Sequence, residues 1–302
     1  MNEVIVLKNE SDKEKLKKYL LECLFDLKTG DNYTYKLGDV VITIYKSGKV
    51  LFQGKSSYKW YVEVKNLLEY SEAITENDLD PLIKTVFPRI GSDESGKGDF
   101  FGPLVTVAFL IENDKQVIEL EKIGVRDSKK VSDNRIKIIS QQIQEIGNFD
   151  KILITPIKYN ELYDKIKNLN SLLAWSHSKA IENIVKSNEV KMIVIDKFAG
   201  MDFISNFVLK KSSNNKAELV LIQNAEREIA VAAASILARS FYLQWLELFQ
   251  NKLGIELPKG ANENVINTAL KIAELKGLDF LKEISKMHFS TYNTIKTKLK
   301  NL

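Results

Sequence analysis

Apolar and polar residues follow two different patterns in the first 70 residues. The short runs YTYKL, DVVITIY and KVLFQG are rich in β-branched and aromatic residues and predict strands of an antiparallel meander. The last two runs are separated by KSG, where Gly48 can supply the positive φ of a tight turn. Before them, residues 11–28 (SDKEKLKKYLLECLFDLK) have helical spacing, with Ser11 and Glu14 spaced as in a capping box. We therefore expect a small domain of helices and strands.

The pattern changes after this region. The stretch EYSEAITENDLDP (69–81) is acidic, has few large apolar residues and ends in proline, which indicates a linker. We predict a first domain at 1–70, a linker at 71–85 and a second domain at 86–302. In the second domain, RIGSDES, LVTVAFLI, KILITPI, VKMIVID and AELVLIQ predict strands, whereas NSLLAWSHSKAIENIVKS and AVAAASILARSFYLQWLELF predict helices. The small residues of the second helix favour close packing on a sheet.

Composition limits the class of protein. A chain of 302 residues with 44% hydrophobic residues can bury a sizeable core. Its one cysteine, Cys23, cannot form an internal disulfide, and the N-terminus becomes charged after a few apolar residues, unlike a signal peptide or membrane span. We expect a cytoplasmic protein without a membrane partner. The net charge of +4 favours a polyanionic partner only weakly.

The segment GSDESGKGDFFGPL (91–104) has the glycine and lysine spacing of a phosphate-binding P-loop. Gly91, Gly96 and Lys97 match G-x-x-x-x-G-K. A P-loop also needs Ser or Thr after the lysine and a helix directly afterwards, but here Gly98 follows and the chain continues into a predicted strand. The sequence therefore argues against a nucleotide-binding ATPase and indicates a glycine loop beside acidic residues.

Acidic residues stand at the ends of several predicted strands. Asp93 and Glu94 end one strand, Asp196 ends the apolar run MIVID, and Glu226 lies between a strand and the small-residue helix. Carboxylates that converge on one place repel one another unless cations neutralise them, and hard oxygen ligands suit magnesium. Two such ions can activate a water and stabilise the leaving oxygen in phosphodiester hydrolysis.

Several motifs occur in an order that resembles a known family. DESGKGDFFGPL, RDSKK, NLNSLLAWSHSKA, IDKFA and NAEREIAVAAASILAR, with YKSGKVLFQG upstream, resemble bacterial ribonuclease HIII, a member of the type 2 ribonucleases H. The resemblance covers nearly the whole chain. It implies an α/β, ribonuclease H-like fold with a mixed five-stranded sheet, preceded by a small α+β domain similar to the repeat of the TATA-binding protein. It also implies a metal-dependent endoribonuclease that hydrolyses the RNA strand of an RNA/DNA hybrid with Mg²⁺ or Mn²⁺, leaving 3′-hydroxyl and 5′-phosphate ends.

The resemblance also assigns catalytic, metal-binding residues. The acidic quartet of the family falls on Asp93, Glu94, Asp196 and Glu226. Glu228 remains an alternative for the fourth position, because this chain reads NAE where a basic residue before AE is expected.

Two groups in the second domain are expected to contact the substrate. Gly96, Lys97 and Gly98 match the glycine-basic-glycine loop of the family, which approaches the RNA backbone and its 2′-hydroxyl groups. Ser128 and Lys129 in RDSKK are candidates for phosphate contacts, or they are simply a polar helix start.

A third candidate contact lies in the first domain. The region from Val40 to Tyr61 has lysines but no acid. Its lysines include Lys46, Lys49 and Lys55, and its aromatic residues are Tyr45, Phe52, Tyr58, Trp60 and Tyr61. Such a mixture suits a surface that holds phosphates and stacks on sugars or bases. The alternative is an ordinary sheet with a solvated lysine-rich face.

Other functions remain open. Cleavage at single ribonucleotides embedded in DNA, as by ribonuclease HII, is disfavoured by the separate first domain and by lysine in place of arginine in the glycine loop. A non-catalytic nucleic-acid-binding protein is disfavoured because all four acids are present. We expect a monomer without an obligate protein partner, and we assign His177 to the core and His288 to no chemistry.

Overall fold

The structure is a computed structural model that describes residues 3–7, 9–30, 32–54, 56–68, 83, 86–125, 131–196, 198–199, 203–204, 217–222 and 225–300. The chain divides into two compact units, Met1–Thr85 and Val86–Leu302. The predicted linker at 71–85 lies outside the described residues except for Ile83.

Over the residues that the structure describes up to Leu68, the N-terminal unit is a five-stranded antiparallel sheet with two helices. Its elements are β1 Glu3–Val6, α1 Glu10–Glu22, β2 Asp26–Thr29, β3 Tyr33–Leu37, β4 Val40–Ile44, β5 Lys49–Gln53 and α2 Ser57–Leu67. The strand order is β1-β5-β4-β3-β2, and every neighbouring pair is antiparallel. The predicted meander is confirmed as β3, β4 and β5.

One face of this sheet packs on the helices. Alternate residues of β4 and β5 are buried in one core with residues of α1 and α2. Two aromatic residues predicted for a stacking surface belong to this core instead. Phe52 and Tyr61 are 0% and 5% exposed, and their ring centroids are 5.6 Å apart. The surface prediction is wrong for them because strand alternation and helix α2 direct both rings inward.

Helix α1 is shorter than the predicted helix. Its N-cap is Asn9, not Ser11, and the Asn9 side chain accepts a hydrogen bond from the backbone N–H of Asp12 at 2.9 Å. The helix ends at Glu22, and Leu24, with φ of 63°, is 81% exposed. The following residues pair with β3 as strand β2. At the end of the predicted helix, strand pairing therefore overrides the helical spacing of the apolar residues.

The second unit contains a mixed five-stranded sheet covered by helices. Its elements are β6 Arg89–Ser95, β7 Leu104–Ile111, α3 Asp114–Lys122, α4 Asp133–Ile146, β8 Phe149–Ile154, α5 Pro156–Ile166, α6 Leu169–Val185, β9 Met192–Asp196, β10 Glu218–Ile222, a 3₁₀ turn Ala225–Arg227, α7 Ile229–Leu253, α8 Glu263–Lys276, a 3₁₀ turn Leu278–Phe280, α9 Leu281–Ile284 and α10 Ser290–Lys300. The order is β10-β9-β6-β7-β8. Strand β9 is parallel to β6 and β10, whereas β7 is antiparallel to β6 and β8. The predicted mixed sheet is confirmed.

Helices cover both faces of this sheet. Residues of α6 pack on one face, and residues of α4 and α7 pack on the other. Gly91 permits the closest approach, because a Cβ atom there would lie 2.2 Å from backbone atoms of Ala230 and Val231. Gly91, which matches the first glycine of a P-loop, is therefore needed here for the close packing of α7 on the sheet. Helix α7 is long and apolar enough to cross a membrane, but 83% of its most apolar window is buried inside the protein.

Candidate active site

The sheet topology brings the predicted acids to one edge. Strands β6 and β9 run parallel with Ser92 opposite Ile195, and the next residue of each strand is an aspartate, Asp93 and Asp196. Both therefore lie at the carboxyl ends of neighbouring strands, where sites form in open α/β sheets. Glu226 follows in the 3₁₀ turn before α7, and the preceding backbone N–H, that of Ala225, donates to Asp196 Oδ1 at 3.2 Å.

A cleft of ≈ 370 Å³ opens at this edge. Its lining includes Asp93, Glu94, Asp196 and Glu226 together with the loop at 96–98. Residues that the sequence assigned to catalysis and to substrate contact thus share one cleft. Their roles stay predictions.

Burial and neighbouring charge strongly perturb the acids on β6. Burial, together with the charges of Glu94 and Asp196, raises the pKa of Asp93 to about 8, although a hydrogen bond with Ser235 acts in the opposite direction. Burial also raises the pKa of Glu94, but hydrogen bonds and charge from His177 and Lys97 outweigh it and lower this pKa to about 2. The site therefore concentrates negative charge that a cation would neutralise.

Two basic side chains hold the Glu94 carboxylate. Lys97 Nζ donates to Oε1 at 2.8 Å, and His177 Nε2 lies 3.0 Å from Oε2. The ring of His177 is fully buried, whereas the side chain of Lys97 is 44% exposed. The histidine contact is thus the more rigid of the two.

The glycine loop is held from beneath by a buried lysine. Gly96 has φ of 87°, and a Cβ atom there would lie 2.2 Å from the carbonyl oxygen of Pro103, so a glycine is required. Lys286 Nζ donates to the carbonyl oxygens of Asp99 at 2.8 Å and Gly102 at 2.7 Å. Lys286 is fully buried, and burial lowers its pKa to about 7. The C-terminal segment therefore fixes the end of the loop.

The two glutamates considered for the fourth acid lie in different environments. Glu226 lines the cleft. Glu228 is 3% exposed, accepts a hydrogen bond from Arg89 Nε at 2.8 Å and caps α7 by accepting from the N–H of Val231 at 2.9 Å. These contacts favour Glu226 for the site and give Glu228 a structural role.

The structure does not test the remaining predicted contacts with the substrate. Ser128, Lys129 and Lys55 lie outside the described residues. Lys46 and Lys49 are exposed on the N-terminal unit. Their contact with nucleic acid stays a prediction.

Sequence reasoning missed several residues at the site. Ser235 and Arg239 line the cleft, and their spacing of four on a helix that follows Glu226 could have revealed a shared face. His177 was assigned to the core, and Lys286 was not singled out from the sequence. No local pattern distinguishes Lys286 from surface lysines.

The donor set fits a hard divalent cation. All four acids offer carboxylate oxygens, which suit Mg²⁺ or Mn²⁺, and the raised pKa of Asp93 reflects burial and crowded charge that a cation would relieve. Among the residues that the structure describes, no three acidic, histidine or cysteine side chains are close enough to hold a metal as they stand. The fit to a cation therefore rests on the chemistry of the donor set.

Comparison with known proteins gives consistent results for both units. The family model described as Ribonuclease HII matches residues 90–292, and the one described as Domain of unknown function (DUF3378) matches residues 2–65. A Chlamydia pneumoniae protein named ribonuclease HIII is 38% identical over 262 residues, covering 85% of each chain. A Protochlamydia amoebophila protein of the same name is 37% identical over 260 residues, covering 84% of this chain and 82% of that one.

Solved structures give a similar result. The crystal structure of Bst-RNase HIII in complex with Mn²⁺ has a TM-score of 0.68, 27% identity and 100% coverage of both chains. That of Aquifex aeolicus RNase H3 has a TM-score of 0.56 and 29% identity, covering 95% of this chain and 99% of that one.

Proposed function

Because the chain belongs to the ribonuclease HIII family, we propose that it hydrolyses the RNA strand of RNA/DNA hybrids at the cleft on the β6–β9 edge, with divalent cations as cofactors. The observation that carries the proposal is the shared cleft. Asp93, Glu94, Asp196 and Glu226 line it together with the glycine loop at 96–98. An acidic site beside a backbone-binding loop suits phosphodiester chemistry on a nucleic acid.

The four acids would hold the cations. Two divalent ions in such a site supply Lewis acidity for the attacking water and the leaving oxygen. Mg²⁺ and Mn²⁺ both suit the donor set, and the relative Bst-RNase HIII has been crystallised with Mn²⁺.

The protein's own groups orient the substrate. Gly98 has open space where a Cβ atom would lie, so the RNA backbone can approach the loop closely. Lys97 pairs with Glu94 at 2.8 Å and is half exposed, so its ammonium group can also reach a substrate phosphate. Close approach to the ribose lets a protein recognise the 2′-hydroxyl, which distinguishes RNA from DNA.

The products follow from which bond breaks. Attack of a water oxygen on phosphorus, with loss of the O3′ oxygen, leaves a 3′-hydroxyl on one fragment and a 5′-phosphate on the other. The N-terminal unit would add affinity through phosphate contacts that contain no sequence information.

A cleavage assay tests the proposal. A uniform RNA/DNA hybrid and a duplex with a single embedded ribonucleotide are incubated with Mg²⁺ or Mn²⁺, and the ends are identified by mass spectrometry. We expect cleavage of the hybrid, loss of activity with a chelator, and recovery when metal is restored. Preference for the single ribonucleotide would instead favour ribonuclease HII-like activity. Binding without cleavage under all conditions would favour a non-catalytic protein.

Asp93→Asn tests the site itself. We expect no measurable cleavage, because the amide is a poor ligand for a hard cation. The metal-free variant should be at least as stable as the wild type at pH 7, since burial and the Glu94 charge raise the pKa of Asp93 to about 8 and penalise its ionisation in the fold. Thermal unfolding without metal measures this. Wild-type cleavage by the variant, or activity that survives the chelator, would contradict the assignment.

A further inference from the structure

His177 contacts the candidate site from inside the protein. His177 is a residue of α6. Its ring is fully buried and stacks on Phe198, with ring centroids 5.3 Å apart. Nε2 lies 3.0 Å from Glu94 Oε2, and Nδ1 lies 2.7 Å from Ser92 Oγ. Both ring nitrogens therefore have partners, and rotation of the ring would break both contacts.

The partners of His177, Ser92 and Glu94, both belong to strand β6. Ser92 and Glu94 are two residues apart on β6, so their side chains point to the same face of the sheet, the face covered by α6. The Ser92 hydroxyl oxygen also lies within hydrogen-bond distance, 2.8 Å, of the carbonyl oxygen of Val107 on the neighbouring strand β7. A series of short contacts thus connects the centre of the sheet to the Glu94 carboxylate.

The hydrogen count assigns a donor role to Nε2. The single Ser92 hydroxyl hydrogen can serve either Val107 or His177 Nδ1. The Glu94 carboxylate accepts a hydrogen bond from Lys97 at Oε1 and offers only an acceptor at Oε2, so Nε2 supplies the hydrogen in the contact with Oε2. The contact is a directed N–H···O bond that orients the carboxylate.

We propose that His177 is a positioning residue that orients the Glu94 carboxylate for metal binding. The proposal rests on the function proposed above, in which Glu94 is a metal ligand. Buried hydrogen-bond partners of metal ligands fix the direction of the ligand atoms and raise affinity. Lys97 also holds Glu94, but its exposed side chain can move away when cation or phosphate enters, whereas the buried ring cannot.

Two substitutions separate the contacts of the ring. In His177→Asn the amide occupies the region of Nδ1 and can reach Ser92, but nothing reaches Glu94. In His177→Gln the longer side chain brings an amide N–H to the region of Nε2, where it can donate to Glu94. Mn²⁺ binding to the whole chain is measured by calorimetry, and cleavage of the uniform hybrid gives kcat and KM.

We expect His177→Asn to bind Mn²⁺ about 10- to 100-fold more weakly, with lower kcat and an unchanged KM, because the buried ring does not reach the substrate. His177→Gln should recover a large part of the affinity. A purely structural role would lower the stability of both variants without separating their Mn²⁺ affinities. Equal Mn²⁺ affinity in folded His177→Asn and wild type would overturn the proposal.

A spectroscopic measurement on the wild type covers the case in which the variants do not fold. The chain has only two histidines, His177 and His288, so their ring ¹⁵N signals can be assigned with one substitution of His288. Titration with Mg²⁺ should shift the Nε2 signal of His177 and leave His288 unchanged. An unshifted His177 signal at saturating Mg²⁺ would overturn the proposal.

Failure of the proposed function would look different. If the wild type binds no Mn²⁺, or if Asp93→Asn cleaves normally, the metal site itself is wrong and the role of His177 falls with it. If Asp93→Asn is inactive while His177→Asn matches the wild type in both measurements, only the positioning role is wrong.

Discussion

Two glutamates show how strongly the environment decides the role of a residue. Glu226 and Glu228 are two positions apart, yet the first lines the cleft and the second is buried beside Arg89. Both side chains of the Arg89–Glu228 pair are almost completely removed from solvent, at 0% and 2% exposure. A buried pair of this kind is costly to break, because one charge is left without a partner.

Substitution by glutamine should therefore lower the stability of the protein at Glu228 and its cleavage activity at Glu226. We expect Glu228→Gln to lower the free energy of unfolding by about 3–5 kcal/mol, because Arg89 keeps its charge in a buried site. Glu226→Gln should leave the fold intact and abolish cleavage. Denaturant unfolding and a hybrid-cleavage assay on both variants measure this. A stable but inactive Glu228→Gln, with an active Glu226→Gln, would make Glu228 the fourth acid.

At the scale of elements, the C-terminal segment supports the loop after β6. The N–H of Phe100 donates to the carbonyl oxygen of Gly260, and that of Gly102 donates to the carbonyl oxygen of Ile284. The Lys286 ammonium group adds bonds to loop carbonyls from below. The segment after α7 is thus part of the framework that shapes the glycine loop.

Replacing Lys286 by methionine tests this support. We expect Lys286→Met to lower the free energy of unfolding by at least about 1–3 kcal/mol, because buried carbonyl oxygens lose their donor. Cleavage should also fall at temperatures where the variant is folded, since the loop loses its anchor. Lys282→Met is the matched control, because Lys282 is an exposed lysine of the same segment and pairs with Asp279. Equal behaviour of the two variants would show that the loop does not depend on Lys286.

At the scale of the whole molecule, each unit has a core of its own. The buried cluster of the N-terminal unit contains residues from Ile5 to Leu68, and the large clusters of the second unit contain residues from Ile90 onward. We therefore expect each unit to keep its structure when the other is altered. If the first unit adds only affinity, as proposed, substitution of its exposed lysines, Lys46 and Lys49, should change binding and leave turnover unchanged.

Measurement of binding against salt tests this division. We expect Lys46→Ala/Lys49→Ala to weaken binding to all hybrid sequences and to flatten the dependence of log K on log salt by about 0.9 for each phosphate that the variant no longer neutralises, the B-DNA value. Turnover at saturating hybrid should stay unchanged. Lys15→Ala/Lys18→Ala is the control with the same charge change, on exposed positions of α1. Identical slopes for the two double variants would show that Lys46 and Lys49 make no specific phosphate contacts and only form part of a solvated surface.

Most of the fold could be predicted from the chain alone. Strands β6, β7, β9 and β10 and helices α6 and α7 follow from apolar runs and periodicity, because alternation and helical spacing record which side of an element is buried. The acids at the ends of β6 and β9 could be found in the same way, since a charge that ends an apolar strand needs a site or a partner. Helix α1 shows the limit, because pairing of β2 with β3 overrides the helical pattern.

Partner choice was decided only by the tertiary structure. His177 meets Glu94 across 83 residues, Arg89 meets Glu228 across 139, and Lys286 meets Asp99 across 187. A local pattern states that a side chain faces inward, but it does not state which distant group it will meet there. These partners are determined by the packing of the sheet against α6, α7 and the segment after α7. The same packing places Glu226 in the cleft but Glu228 in a buried ion pair, and it buries Lys286 against the loop while Lys282 stays exposed.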